Sequence, residues 1–243
     1  VLSGNQVLET SESTNNDARR LAEAGCAHGT WISAKRQTAG RGRLGREWRS
    51  LEGNLFLSIV VRPTFHPSHL GWVPLATAVA VAEAVRDLRP ALELEIKWPN
   101  DLLLGRAKVG GILCEGVRNY VILGIGLNCV QSPGNLDQKT ASLSSVLPES
   151  LHADQVRLPI VNSVLSSLDE LMRGGPAPIA SLYEKRAALR RGTLVEWSSG
   201  APGAPVTAGE VEGLGSGGEL CVKDLSGREH RLYADEVKLR ELR

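Results

Sequence analysis

Apolar positions along the chain follow two periods, and the changes between them divide it into elements. Leu75, Val79, Ala82 and Val85 recur at three- and four-residue spacing, which predicts a core helix over residues 70–88. Asn54 to Val61 is largely apolar and β-branched, predicting a buried strand. Leu92 to Trp98 alternates as a strand does and stops at Pro99. Val109–Glu115 and Tyr120–Leu127 are two apolar runs joined by Val117, Arg118 and Asn119. So short a connection predicts an antiparallel hairpin. Nearer the N-terminus, Ser13, Thr14 and Asn15 precede the helical spacing of Asp17 to Ala22, with Gly25 as a stop. Thr30 to Lys35 then predicts a short strand leading into a glycine–arginine loop. Residues 131–142 are polar and rich in turn formers, hence a loop, and two further helices are expected at about 154–172 and 177–190.

After Arg191 the pattern changes. Short β-like runs at residues 193–197, 206–214, 220–224 and 230–233 are separated by glycine-rich turns. They predict a small all-β module, a barrel. The expected division is therefore residues 1–190 and 191–243, within the size range of one medium and one small domain.

Charge narrows the functional classes. Lys plus Arg number 28 and Asp plus Glu 27, a net charge of +1. A dedicated nucleic-acid binder carries a clear basic excess. Cys26, Cys114, Cys129 and Cys221 form neither a CxxC pair nor a Cys/His cluster, which argues against structural zinc and for reduced thiols in a cytoplasmic protein. No secretory leader is expected at the N-terminus, and the apolar stretch 75–85 is too short for a bilayer span.

Four segments could carry chemistry. Gly40 to Trp48 (GRGRLGREW) alternates arginine with glycine. Arginine offers a fixed fork of donors for phosphate or carboxylate, and glycine lets the backbone approach a ligand. The segment is neither a Walker A loop nor a dinucleotide fingerprint. Lys97 to Asp101 (KWPND) is followed by Lys108, Val109, Gly110, Gly111 and Ile112, with Asp101 expected at a strand end and Lys108 opening the next strand. Ser13, Thr14 and Asn15 combine two hydroxyls and an amide; capping alone would explain one hydroxyl, and the three together could also satisfy a small polar ligand. In Gly124 to Asn128 (GIGLN), glycine within a strand pattern marks close approach by a ligand or by another part of the chain.

Together these segments resemble a biotin protein ligase. The resemblance rests on Ser13–Asn15, QTAGRGRLGREW at 37–48, KWPND at 97–101, KVGGIL at 108–113 and GIGLN at 124–128, in the family's order along the chain. It implies an α+β fold in which a mixed, largely antiparallel sheet packs with helices, a class II synthetase-like domain, plus a small C-terminal SH3-like β-barrel. It also implies a two-step reaction: biotin and MgATP give biotinyl-5′-AMP and pyrophosphate, and a lysine of a biotin carboxyl carrier domain then takes the biotinyl group, releasing AMP. By position in the motifs, Arg41, Arg43, Lys108 and Asp101 would be catalytic. Biotin would be held by Ser13, Thr14, Asn15, Gln37, Arg41, Gly42, Arg43, Lys108, Gly110 and Gly111. ATP would meet Arg41, Arg43, Arg46, Trp48, Lys97, Asn100, Lys108 and Asn128. Mg²⁺ would be held chiefly by the phosphates, since magnesium keeps waters and takes few protein ligands. Longer members carry an N-terminal DNA-binding winged helix, while about a dozen residues precede Ser13 here, so a single-function form is expected, without DNA or membrane partners, as monomer or homodimer.

Two alternatives remain at this stage. A lipoate or octanoate ligase or transferase would share the fold and a similarly placed lysine, but not the GRGRxGRxW loop. A nucleic-acid-binding module would draw on the arginine loop and the β-module, against near-zero charge and few aromatics for stacking.

Overall fold

The computed structural model describes residues 4–64, 67–117, 119–134, 138–199, 203–234 and 238–242. Arg118 of the predicted hairpin connection and residues 135–137 of the predicted loop lie outside these.

A seven-stranded sheet forms the body, in the order β1-β2-β3-β7-β6-β5-β4. Its strands are β1 (Gln6–Ser11), β2 (Trp31–Gln37), β3 (Leu55–Val61), β4 (Glu95–Lys97), β5 (Asp101–Leu104), β6 (Ala107–Val117) and β7 (Tyr120–Leu127). β1 and β2 pair in parallel, connected through helix α1 (Thr14–Glu23); the other neighbours are antiparallel. The predicted 109–127 hairpin is present as β6 and β7.

Every residue of β3 is buried because both faces of the sheet are covered. On one face Leu57, Ile125 and Leu127 meet helices α2 (Trp72–Leu88), α3 (Ala153–Gly174) and α4 (Ala177–Arg186) in the main core. On the other, Val60 and Ile122 pack under Ala18 and Leu21 of α1. Fully burying one such aliphatic side chain contributes about 1.5–3 kcal/mol. The alanine-rich α2 lets α3 come close enough for Ser163 Oγ to donate to the Ala80 carbonyl at 2.9 Å.

Two strands of this sheet escaped the sequence pattern and a third came out shorter than expected. β1 is a polar edge strand. β5 begins at Asp101, which therefore opens a strand instead of ending one. The predicted 92–98 strand shrinks to β4, because the chain turns at residues 98–100 to start β5.

A second, five-stranded antiparallel sheet follows in the order β11-β10-β9-β8-β12, from β8 (Leu194–Ser198), β9 (Thr207–Leu214), β10 (Leu220–Asp224), β11 (Glu229–Leu232) and β12 (Lys238–Glu241). Here β12 is the unpredicted strand. Two indoles fasten this sheet to the body: Trp72 Nε1 donates to the Ser216 carbonyl at 2.7 Å and Trp98 Nε1 to the Gly218 carbonyl at 3.1 Å. Gly71 is required at this junction, since a Cβ there would fall 2.1 Å from the Gly217 oxygen. Val195, Val211 and Leu220 continue the main core.

The β10–β11 turn is organised by Asp224, which accepts from Ser226 N, Ser226 Oγ and Arg228 N and lies 2.7 Å from His230 Nε2. The Ser226 and His230 hydrogen bonds hold its carboxyl well below the usual carboxylate range. A depressed folded-state pKa stabilises above the unfolded value of about 3.9 and loses that contribution as pH falls through the folded value. Asp224→Asn is therefore expected to lower Tm at neutral pH, with the gap to the parent closing as pH is taken below about 4. Thermal scans across that range test it, and a gap independent of pH would contradict it.

Candidate active site

The cleft is built on one row of cross-strand pairs. Phe56 of β3 opposes Gly126 of β7, which opposes Gly111 of β6, which opposes Asp101 of β5, which opposes Lys97 of β4. The two central glycines remove the side chains that would fill the sheet surface. Trp48 occupies that space: a Cβ on Gly126 would come within 2.5 Å of the indole, and one on Gly111 within 3.4 Å. The indole Nε1 is shut off there without an acceptor among the described residues. Gly126→Ala is accordingly expected to displace Trp48 and raise KM for the ligand that occupies this floor by about tenfold, the equivalent of about 1.4 kcal/mol of binding. Steady-state kinetics would show it, and an unchanged KM would count against Trp48 as a wall of the site.

Lys108 reaches this floor because of an irregularity. Opposite β5, Leu102 pairs Gly110 and Leu103 pairs Lys108, so Val109 is bulged out. Strict alternation from Gly111 would turn residue 108 toward the core; the bulge re-aims it. Lys108 Nζ lies 2.6 Å from Asp101 Oδ1 and 5.6 Å from the Trp48 ring centre. Both members of the ion pair are largely buried, at 16% and 21% side-chain exposure. A strap from the 131–142 segment brackets the lysine: Lys108 N donates to the Lys139 carbonyl and Ala141 N to the Lys108 carbonyl.

The glycine–arginine loop is a closed hairpin above the floor. Trp48 N donates to Gly40 O and Gly42 N to Arg46 O, and the backbones of Arg41 and Glu47 pair as an isolated antiparallel bridge. Gly40 must lack a Cβ, which would lie 2.5 Å from the Trp48 carbonyl oxygen. Arg43 Nη1 donates to Asn100 Oδ1 at 3.1 Å and Nη2 to the Ala234 carbonyl, tying the loop both to the KWPND turn and to the C-terminal sheet. Arg41 Nη2 donates to Asn16 Oδ1 at 2.7 Å.

The start of α1 closes the opposite end. Ser13 occupies the cap position without a side-chain capping bond, so capping does not account for its hydroxyl. Gln37 Oε1, its side-chain amide oxygen, instead accepts from Thr14 N at 2.8 Å and from Thr14 Oγ1 at 3.1 Å. Asn15, although on the wall, has its amide engaged by Glu115 and Ser58.

These elements enclose a cleft of about 660 Å³, to which Arg41, Arg43, Arg46, Arg49, Lys97 and Lys108 bring six cations against the carboxylates of Glu47 and Asp101. A nearly neutral chain thus concentrates positive charge at one place. Of the residues expected at the site, Ser13, Thr14, Asn15, Gln37, Arg41, Gly42, Arg43, Arg46, Trp48, Lys97, Asn100, Asp101, Lys108, Gly111 and Asn128 line it. Gly110 does not: one strand position from Gly111, its missing side chain would face Leu102 and Leu127 instead. Asn128 is 2% exposed and its amide donates to the Ala141 carbonyl, so it also secures the strap. The sequence reading missed Arg49 and Leu239 on the wall; it expected the 131–142 loop near the site without naming its residues, and Gln138 and Thr140 are among those that line it. Arg49 adjoins the GRGRLGREW run and could have been read with it, whereas Leu239 arrives from β12 and carries no local signal. Among the described residues no cluster of His, Cys, Asp or Glu is arranged to hold a metal ion.

A mixed sheet with a glycine floor, an engaged lysine and an arginine hairpin defines a site for bringing anionic groups together. Residues 7–130 match the model of the biotin/lipoate A/B protein ligase family, and the chain belongs to that family. The biotin--[acetyl-CoA-carboxylase] ligase of Mycobacterium tuberculosis is 31% identical over 236 residues, spanning 95% of this chain and 87% of the relative. Among solved structures, the biotin protein ligase of Aquifex aeolicus in complex with biotin and ATP is similar with a TM-score of 0.85 at 26% identity, covering 99% of this chain and 100% of that one. The Leishmania major biotin protein ligase in complex with biotinyl-5-AMP gives 0.69 at 26% identity, covering 94% and 98%.

Proposed function

We propose that this chain joins biotin to a lysine of a biotin carboxyl carrier domain, using MgATP and passing through biotinyl-5′-AMP. The observation that carries the reading is Lys108, held over the Gly111–Gly126 floor at the centre of a cation-rich cleft. In the first step a biotin carboxylate oxygen bonds to the α-phosphorus as the bond to pyrophosphate breaks. Both reactants are anionic, and Lys108 bridges the carboxylate and α-phosphate oxygens, with Arg41 and Arg43 over the carboxylate and phosphates and Arg46 and Lys97 toward the triphosphate. Ser13, Thr14 and Gln37 face the uncharged ureido ring. Trp48 walls the adenine or the biotin tail. Mg²⁺ enters as part of MgATP, held chiefly by the phosphates.

In the second step the carrier amine attacks the mixed anhydride carbonyl, AMP leaves, and the amine gives up a proton. Asp101 is the acidic group beside the reacting centre, and we assign it to positioning that amine and accepting the proton. Because it also pairs with Lys108, Asp101→Asn is expected to cost about tenfold in adenylate formation and about a hundredfold in transfer, the scale of general base catalysis. Single-turnover measurement of each half-reaction separates the two; equal losses would remove the role in transfer.

The division at residue 190, a cytoplasmic setting, the absence of a DNA partner and a monomeric or homodimeric state belong to the same reading. Supporting observations are the net charge of +1 and the absence of a disulfide among the four cysteines. No helix among the described residues is long and apolar enough to cross a membrane. Exchange of pyrophosphate into ATP, run with biotin or with lipoate, tests the acid: biotin should support it and lipoate should not, and the reverse would favour the lipoate alternative.

A further inference from the structure

Asn100 closes the KWPND turn and joins three parts of the chain. Its main-chain oxygen accepts from Ile112 N at 2.9 Å, and its Nδ2 donates to the Ile112 carbonyl at 2.9 Å. The side-chain amide thus extends the β5–β6 ladder one step beyond Asp101, where β5 begins. Its Oδ1 accepts from Arg43 Nη1 at 3.1 Å. A carbonyl oxygen only accepts and a guanidinium only donates, so one orientation of the amide serves both partners, nitrogen to Ile112 and oxygen to Arg43.

Arg43 has a second place to go. Residues 41–44 and 98–100 separate the substrate cleft from another cavity of about 610 Å³, and line both. Glu115 and Glu219 bring carboxylates to that second cavity. Ala234, whose carbonyl accepts from Arg43 Nη2, lines the second cavity and not the substrate cleft. The guanidinium fork therefore straddles the partition, and Asn100 is its hold on the substrate side. Without that hold, the Ala234 contact and the two carboxylates draw the fork away from the phosphates it would screen.

We infer that Asn100 is a positioning residue: it keeps the Arg43 guanidinium toward the substrate cleft, and it acts on adenylation through Arg43 instead of through a contact with the nucleotide. The inference rests on the biotin ligase reading and replaces the ATP contact expected for Asn100. An amide suits the role because it holds a cation without cancelling its charge, as a carboxylate would. The main-chain pairings of Lys97 with Asp101 and of Asp101 with Gly111 do not involve the Asn100 side chain, so the turn keeps its register in Asn100→Ala.

A double-mutant cycle in the full chain, read as the single-turnover rate of biotinyl-5′-AMP formation, tests this. Asn100→Ala should slow adenylation about tenfold in the parent, the scale of one hydrogen bond to a charged group, and less than about twofold in Arg43→Met. In Arg41→Met, where Arg43 is intact, the tenfold loss should remain. A direct nucleotide contact predicts the tenfold loss in all three backgrounds. Limited proteolysis then separates the Arg43 contact from the Ile112 contact. Asn100→Asp keeps an acceptor for Arg43 and loses the donor to Ile112. Biotin should therefore protect residues 40–48 in Asn100→Asp and protect them less in Asn100→Ala, whereas a merely structural role for the turn predicts equal loss. Should Asn100→Ala fail to fold, Asn100→Ser, too short to span both partners, takes its place. Parent-like adenylation in Asn100→Ala, equal losses in the parent and Arg43→Met, a loss that vanishes in Arg41→Met as well, or equal protection in the two Asn100 variants would overturn the inference while leaving the ligase reading intact. A folded parent that forms no biotinyl-5′-AMP would overturn both.

Discussion

Lys108→Met should slow biotinyl-adenylate formation by about 10²–10³-fold, the largest single effect expected at this site. Two unit charges 4 Å apart at an effective dielectric of 20 repel by about 4 kcal/mol, so a carboxylate approaching a triphosphate needs a cation already in place. Lys108 is preorganised for this by the bulge at Val109, the Asp101 ion pair and the Trp48 face. Methionine keeps most of the length and the apolar stem and removes the ammonium, with its N–H donors and its pairing to Asp101. Rapid-quench measurement of adenylate in a single turnover gives the number. Transfer from preformed biotinyl-5′-AMP should fall less, since no triphosphate remains to be screened. A variant within about tenfold of the parent in adenylation would displace Lys108 from the role assigned to it.

Arg43→Met should reduce adenylation by about a hundredfold and change the behaviour of the loop as well. In the structure Arg43 ties the hairpin to Asn100 and to the Ala234 carbonyl. The loop therefore depends on two distant parts of the chain for its position. Leu44, at its tip, has φ of 57° and is 59% exposed, a conformation a loop-covering ligand could bury. We expect biotin to protect residues 40–48 from protease in the parent and to protect them less in Arg43→Met. Lysine should not restore the parent behaviour, because a point charge cannot span two acceptors as the guanidinium fork does. Equal cleavage of the parent loop with and without biotin would argue against closure over the ligand.

How much of this was legible in the sequence depended on what each residue answers to. Helix α2 and the β6–β7 hairpin are dictated by local apolar periodicity, and both formed as expected. The motifs at 37–48, 97–101 and 108–113 were readable because each is a compact run of neighbouring residues, and the resemblance to the biotin protein ligases rests on those runs. β12 was not readable: its residues, Lys-Leu-Arg-Glu, have no strand pattern of their own, and only pairing with β8 makes them one. β5 is four residues long and hidden behind the Pro99 turn.

The two adjoining glycines show the same limit at finer scale. Sequence alone offered Gly110 and Gly111 equally, and only the register with Gly126 and Asp101 decides that Gly111 faces the ligand. Lys108 looks misplaced under strict alternation from Gly111, and the bulge that corrects it depends on the partner strand. The glycines of 124–128 were expected to admit a close approach. The groups that come close are Asn15 and Trp48, from segments far away in the chain.

The account turns on one reaction. Incubating the folded chain with biotin and MgATP, without any carrier protein, and analysing the products by mass spectrometry tests it most directly. Biotinyl-5′-AMP and pyrophosphate should appear together, and should disappear when biotin is replaced by lipoate. Folded protein that binds both substrates yet forms no biotinyl-5′-AMP would contradict the account.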